Sequence, residues 1–158
     1  QGQPDTAIQM LKALATEAPA ALPLAATLLV KTAQASGQTA QALEVLQQHY
    51  SVAPSLDVLD AIVALTTPAA SQAIEGRQWY LRHLEAEPSL VAAAKWLADE
   101  RLEHEQYHAQ VQRALDHAAQ PLLRYRCAAC GFEARQHFWQ CPGCQSWDSY
   151  PARRVEEL

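Results

Sequence analysis

Through the first three quarters of the chain, apolar residues return at intervals of three and four, the spacing of helices that bury a single stripe. Leu90, Ala94, Leu97 and Leu102 share one side of such a pattern, and Val111, Leu115 and Leu122 share another. The intervening positions are rich in Ala, Leu and Gln, with few β-branched runs, so no strand signature competes with helix up to about residue 121. Three apolar patterns each end at a proline, at Pro19, Pro54 and Pro88, with spacings of 35 and 34 residues. A period of that size calls for a repeat test.

Eight residues before each proline stand Leu11, Leu46 and Tyr80, all large and apolar. Twelve before the first two stand Ala7 and Ala42, and seventeen before them Gly2 and Gly37. This frame of small, small, large and proline resembles the tetratricopeptide repeat, a helix-turn-helix unit in which small residues let two helices approach. Gly2 to Pro19 is then the second half of one repeat, Pro23 to Leu56 a whole one, and Asp57 to about Ser89 another. The last is degenerate: Ser71 and Gly76 occupy the small positions, and Pro68 to Ser71 make its turn. In this frame the chain opens mid-repeat, and an upstream portion is expected. Two more helices, Ser89 to about Glu105 and about Gln106 to Leu123, are expected to close the stack, since a terminal repeat must cover a face with no further neighbour. An ordinary helical bundle is the rival arrangement.

Composition sharpens the boundary. Residues 1–121 carry 7 basic and 13 acidic groups, whereas residues 122–158 carry 5 and 4 and gather Cys, Gly and aromatics. The expected organisation is a helical domain over 1–121 and a separate module over 122–158. No large basic surface emerges, which argues against a nucleic-acid binder. The longest apolar run, Ala18 to Val30, is broken by Pro19 and Pro23 and is too short to cross the roughly 30 Å hydrocarbon layer.

The helical part offers thin candidates for chemistry. His104-Glu105-Gln106-Tyr107-His108 spells the zincin string H-E-x-x-H, in which two His bind zinc and Glu polarises water. Its flanks, Ala98 to Arg101 and Gln110 to Arg113, are those of a solvated face, and that is the expected role. His49 and His83 recur five residues before Pro54 and Pro88, which fits packing at a helix crossing. Trp79, Tyr80 and Trp96 read as core aromatics, and no phosphate loop or nucleophile elbow is present. This part reads as a binding surface, not a catalytic one.

The chemistry lies in Cys127, Cys130, Cys141 and Cys144, spaced C-x2-C-x10-C-x2-C. Each pair can form a knuckle with both sulfurs inward, and two facing knuckles make the tetrahedral four-thiolate cage of zinc or a single iron. Gly131, Pro142 and Gly143 supply the backbone such turns need. Two disulfides or free thiols are the alternative, but disulfides belong mainly to small secreted chains. The stretch Phe132 to Trp139 is long enough for a hairpin carrying the second knuckle over the first. Tyr125, Phe132, Phe138, Trp139, Trp147 and Tyr150 are then expected around the metal. His137 is a conceivable ligand, but four thiolates already fill a tetrahedron. A module of this size needs a metal to fold stably.

Tyr125 to Phe132, then Phe138 to Cys144 and Trp147, following tetratricopeptide-like repeats, resemble the C-terminal part of the lipopolysaccharide assembly protein B family. The resemblance implies an all-α repeat solenoid followed by a rubredoxin-type module, at the cytoplasmic face of a Gram-negative inner membrane and held there by an N-terminal helix outside this sequence. It implies an adaptor, not an enzyme, that presents the deacetylase of lipid A synthesis to a membrane-bound AAA+ protease and meets other lipopolysaccharide assembly proteins. Only Cys127, Cys130, Cys141 and Cys144 carry roles over, as ligands to one zinc or iron ion, zinc being favoured. In a tetratricopeptide frame the first helix of each pair lines the groove, which predicts Thr27, Lys31 and Gln34, then Val58, Ala61 and Leu65, as exposed partner contacts. Electron transfer through a rubredoxin-like iron is the competing function. A nucleic-acid-binding ribbon using Arg124, Arg126, Arg135, Arg153 and Arg154 is opposed by the acidic helical part.

Overall fold

The structure is a computed structural model that describes residues 4–66, 73–98 and 105–158. Seven α-helices are present among the described residues: α1 (Pro4–Glu17), α2 (Leu22–Ser36), α3 (Thr39–Val52), α4 (Leu56–Thr66), α5 (Ala73–Ala86), α6 (Leu90–Ala98) and α7 (Glu105–Ala119). Two short strands follow, β1 (Tyr125–Arg126) and β2 (Glu133–Ala134). The chain divides into two compact units, Gln1–Trp79 and Tyr80–Leu158.

Local chemistry sets the ends of these helices. Pro23 lies in the first turn of α2, where a missing N–H costs nothing. Gly37 ends α2 at φ 72, a left-handed conformation that glycine adopts without penalty. Ala53 leaves the helical region before Pro54, as the proline ring requires of its predecessor. The next residue, Ser55, is buried and its Oγ accepts the Val58 N–H at 3.3 Å, starting α4. The same pair recurs one period later: after Pro88, the Ser89 Oγ accepts the Ala92 N–H at 2.9 Å and starts α6.

In the first unit α2 packs against α1, α3 and α4, the neighbour pattern of stacked helix-turn-helix repeats. The core holds Ile8, Leu11, Leu29, Val30, Leu46, Ile62 and Leu65, with Ala26, Ala33, Ala42 and Ala61 where helices approach closely. Trp79 meets Tyr50 edge-on, with ring centroids 5.8 Å apart. The repeat positions Leu11, Ala42 and Leu46 are all buried here, and the equivalent Tyr80 is buried in the second unit. Full burial of Leu46 stabilises by about 2 kcal/mol, and its loss to alanine would cost about 2–5 kcal/mol once the cavity is included. Gly2 and the turn at Pro68 to Ser71 lie outside the described residues.

In the second unit α6 packs against α7. The helix expected to end at Leu123 stops at Ala119, and Gln120–Leu123 form a 3-10 turn, because Pro121 cannot donate to an α-helical ladder. The strands pair antiparallel with Tyr125 opposite Ala134 and Arg126 opposite Glu133. No helix of the described residues is long and apolar enough to cross a membrane.

Candidate metal centre

The sequence sets up two knuckles of the same design. In the first, the Cys127 N–H donates to the Phe132 carbonyl at 2.9 Å and the Gly131 N–H to the Cys127 carbonyl at 2.9 Å. In the second, the Cys141 N–H donates to the Ser146 carbonyl at 2.9 Å and the Gln145 N–H to the Cys141 carbonyl at 2.8 Å. Each turn needs a left-handed residue directly after its second cysteine. Gly131 fills it at φ 77, whereas Gln145 fills it at φ 62 against the preference of a side chain.

Gly143, expected for its backbone freedom, does not have a positive φ. Its small size matters instead for space: a Cβ there would sit 3.3 Å from the Cβ of Phe132, which would have to give by a few tenths of an ångström. The expected hairpin between the knuckles is also not what forms. β1 and β2 flank the first knuckle, and a bridge between Gln140 and Trp147 flanks the second. Each knuckle is thus closed by its own flanking residues, which leaves the intervening segment free to place one against the other.

The four Sγ atoms all lie within 4.8 Å of one another, with Cys127 to Cys144 at 3.8 Å and Cys130 to Cys141 at 3.7 Å. A tetrahedral ion with sulfur at about 2.3 Å needs sulfur-sulfur edges of about 3.8 Å. A disulfide needs about 2.05 Å, and all four thiols are free. The donor set therefore fits a four-thiolate metal ion. Cys127 and Cys141 are buried, while Cys130 and Cys144 are exposed.

The thiols share charge unequally. The hydrogen bond with Ser149 pulls Cys127 down to about 6, against desolvation and with help from the backbone of Cys130 and Ala129. Cys144 is lowered chiefly by Ser146. Cys130 receives a lowering hydrogen bond from the backbone of Phe132, but its contacts with Cys144, Cys141 and Cys127 together with desolvation push it up to about 12. Four thiolates in this space cannot all ionise without a cation to hold them.

The aromatics divide. Tyr125 and Tyr150 are buried, and Phe138 is half-buried against Tyr150 at a centroid distance of 6.0 Å. Phe132, Trp139 and Trp147 are instead 44%, 61% and 68% exposed, because the small module has too little interior for six rings. His137 is occupied structurally, bonding the Tyr150 carbonyl through Nε2 at 3.0 Å and stacking edge-on with Trp139 at 4.9 Å. Arg124 and Arg126 pair with Glu133 at 3.6 and 2.8 Å, and Arg154 lies 4.2 Å over the Tyr125 ring while donating to the Leu123 carbonyl at 2.6 Å. Three of the five arginines considered for a basic patch are thus engaged within the module.

Elsewhere, Thr27, Lys31 and Gln34 are exposed on α2, next to Leu28 at 57% exposure. Val58, Ala61 and Leu65 are not exposed: they face the core, because α4 turns its apolar stripe toward α2 and α3. An open groove of about 870 Å³, which the repeat frame did not anticipate, runs between α1 and α3 past Lys12, Gln41, Glu44 and His49. His49 bonds the Pro19 carbonyl at 2.9 Å, and His83 is buried, so both serve packing. The His108 Nε2 bonds the Leu97 carbonyl at 3.1 Å, a bond that holds α7 to α6; His104 lies outside the described residues.

Sequence reasoning missed Glu156. Its carboxylate accepts from Ser89 Oγ at 2.7 Å and from the Leu90 and Val91 N–H groups at 2.6 and 3.2 Å, while the Val155 N–H donates to the Arg124 carbonyl at 2.8 Å. The C-terminal turn, Val155–Glu157, is thereby fastened both to the start of the module and to the first turn of α6.

Comparison with known proteins agrees with this geometry. Residues 125–150 match the family model of the rubredoxin metal binding domain. Over 36 residues the chain is 44% identical to lipopolysaccharide assembly protein B of Escherichia coli K12, and equally to that of the O6:H1 and O157:H7 strains. The matched stretch is 22% of this chain and 9% of the relatives' length. At its C-terminal end the chain is thus similar to lipopolysaccharide assembly protein B, and residues 125–150 match the rubredoxin metal binding domain.

Proposed function

We propose that the chain is a non-enzymatic adaptor in the control of lipopolysaccharide synthesis, in which helical repeats hold partner proteins and a zinc-bearing module braces the scaffold. The observation that carries this reading is the Glu156 clasp, which builds the metal module into the first turn of α6. The similarity to lipopolysaccharide assembly protein B supports the pathway, and the place proposed for the protein is the cytoplasmic face of the inner membrane. The partners proposed are the lipid A pathway deacetylase, a membrane-bound AAA+ protease and other lipopolysaccharide assembly proteins. Thr27, Lys31 and Gln34 are the proposed contacts on α2, where the cation of Lys31 beside the exposed Leu28 suits a mixed acidic and apolar segment. Capture of the purified deacetylase by the immobilised zinc-loaded chain tests this. Binding that a Lys31→Glu, Gln34→Glu variant weakens at least tenfold is expected, and equal capture by the variant, or none by either protein, contradicts the surface.

A second reading, electron transfer through a single iron, draws on the exposure of Cys130 and Cys144, which brings two ligand sulfurs to the surface. Zinc is favoured because no flavin or nicotinamide motif accompanies the module. Metal content and an absorption spectrum of protein purified without added metal separate the two: colourless zinc protein supports the brace, and a red, reversibly reducible protein supports electron transfer.

A further inference from the structure

Two serine hydroxyls lie against ligand sulfurs, one in each half of the cage. Ser149 Oγ is 3.2 Å from Cys127 Sγ, and Ser146 Oγ is 3.4 Å from Cys144 Sγ. A divalent ion held by four thiolates carries two excess negative charges, and hydrogen bonds to the sulfurs are the means a protein has to spread them. Once a cysteine is a thiolate it can only accept, so the proton of each contact must come from the serine.

Ser149 has a second acceptor, the Ser146 carbonyl, also at 3.2 Å. That carbonyl already accepts the Cys141 N–H at 2.9 Å, and a charged sulfur outcompetes it for the hydroxyl proton. Tyr150 lacks this freedom, since its hydroxyl is 3.1 Å from the Phe132 carbonyl but 4.0 Å from Cys141 Sγ. The backbone of residue 149 is independently fixed, because its carbonyl accepts the Ala128 N–H at 2.7 Å. Removing the hydroxyl therefore leaves the turn in place.

We propose that Ser149 and Ser146 are positioning residues of the metal centre, donating to Cys127 and Cys144 respectively and setting how firmly the cage holds its ion. The proposal rests on the four cysteines being metal ligands, and the test separates the two claims. The full chain and its Ser149→Ala, Ser149→Thr and Ser146→Ala variants are titrated with zinc against a chromophoric chelator, and each is loaded with cobalt for its thiolate-to-metal absorption band. Failure of the unaltered chain to bind one equivalent of either ion overturns the ligand assignment itself. If it binds, Ser149→Ala is expected to lower zinc affinity about 10- to 100-fold, the range for loss of an outer partner of a ligand. Ser146→Ala should lower it less, its contact being longer, and Ser149→Thr should restore it. The cobalt band of Ser149→Ala should move to longer wavelength, because a thiolate stripped of its hydrogen bond gives up charge more easily. Unchanged affinity overturns the proposal. So does lowered affinity with an unmoved band, which would mark Ser149 as merely structural.

Discussion

Glu156 and Leu90 are 66 residues apart in sequence and 2.6 Å apart in space, where the carboxylate accepts the first free N–H of α6. Ser89 caps the same turn from within the chain, and its own hydroxyl donates to Glu156 at 2.7 Å. Two caps, one local and one supplied by the metal module's tail, therefore serve one helix end. An anion at that end also meets the positive pole of the helix dipole.

Glu156→Gln keeps the shape but removes the charge. It should destabilise the second unit by about 1–2 kcal/mol, the value of a charged helix cap. Urea unfolding of the zinc-loaded protein, followed by far-ultraviolet circular dichroism, measures this. A surface carboxylate without this role would change stability by no more than about 0.5 kcal/mol.

The two knuckles differ at their left-handed positions, and the difference is open to engineering. Gln145→Gly should stabilise the loaded module by about 1 kcal/mol, because glycine adopts φ 62 without the Cβ clash. Gly143→Ala should cost about 1 kcal/mol or more, since Phe132 must yield by a few tenths of an ångström. Thermal unfolding with zinc bound compares them, and opposite signs are the expected result.

The cysteine spacing made the ligand set legible, since four thiols at those intervals admit few other uses. The proline period likewise located the ends of α1, α3 and α5, because a residue before proline leaves the helical region. Two things were not legible. Glu156 belongs to no motif, and only tertiary folding brings it to α6. The exposure expected of Val58, Ala61 and Leu65 assumed a repeat register, but in so apolar a helix burial decides the orientation, and all three enter the core. A further signal is present in the sequence: Pro54-Ser55 and Pro88-Ser89 repeat as pairs, and in both the serine starts the next helix.

His83 adds a pH dependence. Burial lowers its pKa from 6.5, against the opposing pull of Glu87 and Glu156. The folded chain therefore takes up this proton less readily than the unfolded one. The associated stability is fully present above pH 6.5 and is lost as pH falls through the lower folded value. Unfolding free energies between pH 5 and 8 should fall toward the acid end, and His83→Gln should flatten that part of the slope. Parallel profiles for the two proteins would assign the acid sensitivity to other groups.

The central claim is that the metal holds a module that in turn holds α6. Amide hydrogen exchange of zinc-loaded protein, compared with reduced protein stripped by a chelator, tests it most directly. With metal removed, the knuckles open, Glu156 leaves Leu90 and Val91, and exchange through Leu90–Ala98 should quicken by about tenfold or more, in step with a cap of about 1–2 kcal/mol. Protection of α6 that stays unchanged while residues 125–150 exchange freely would contradict the account.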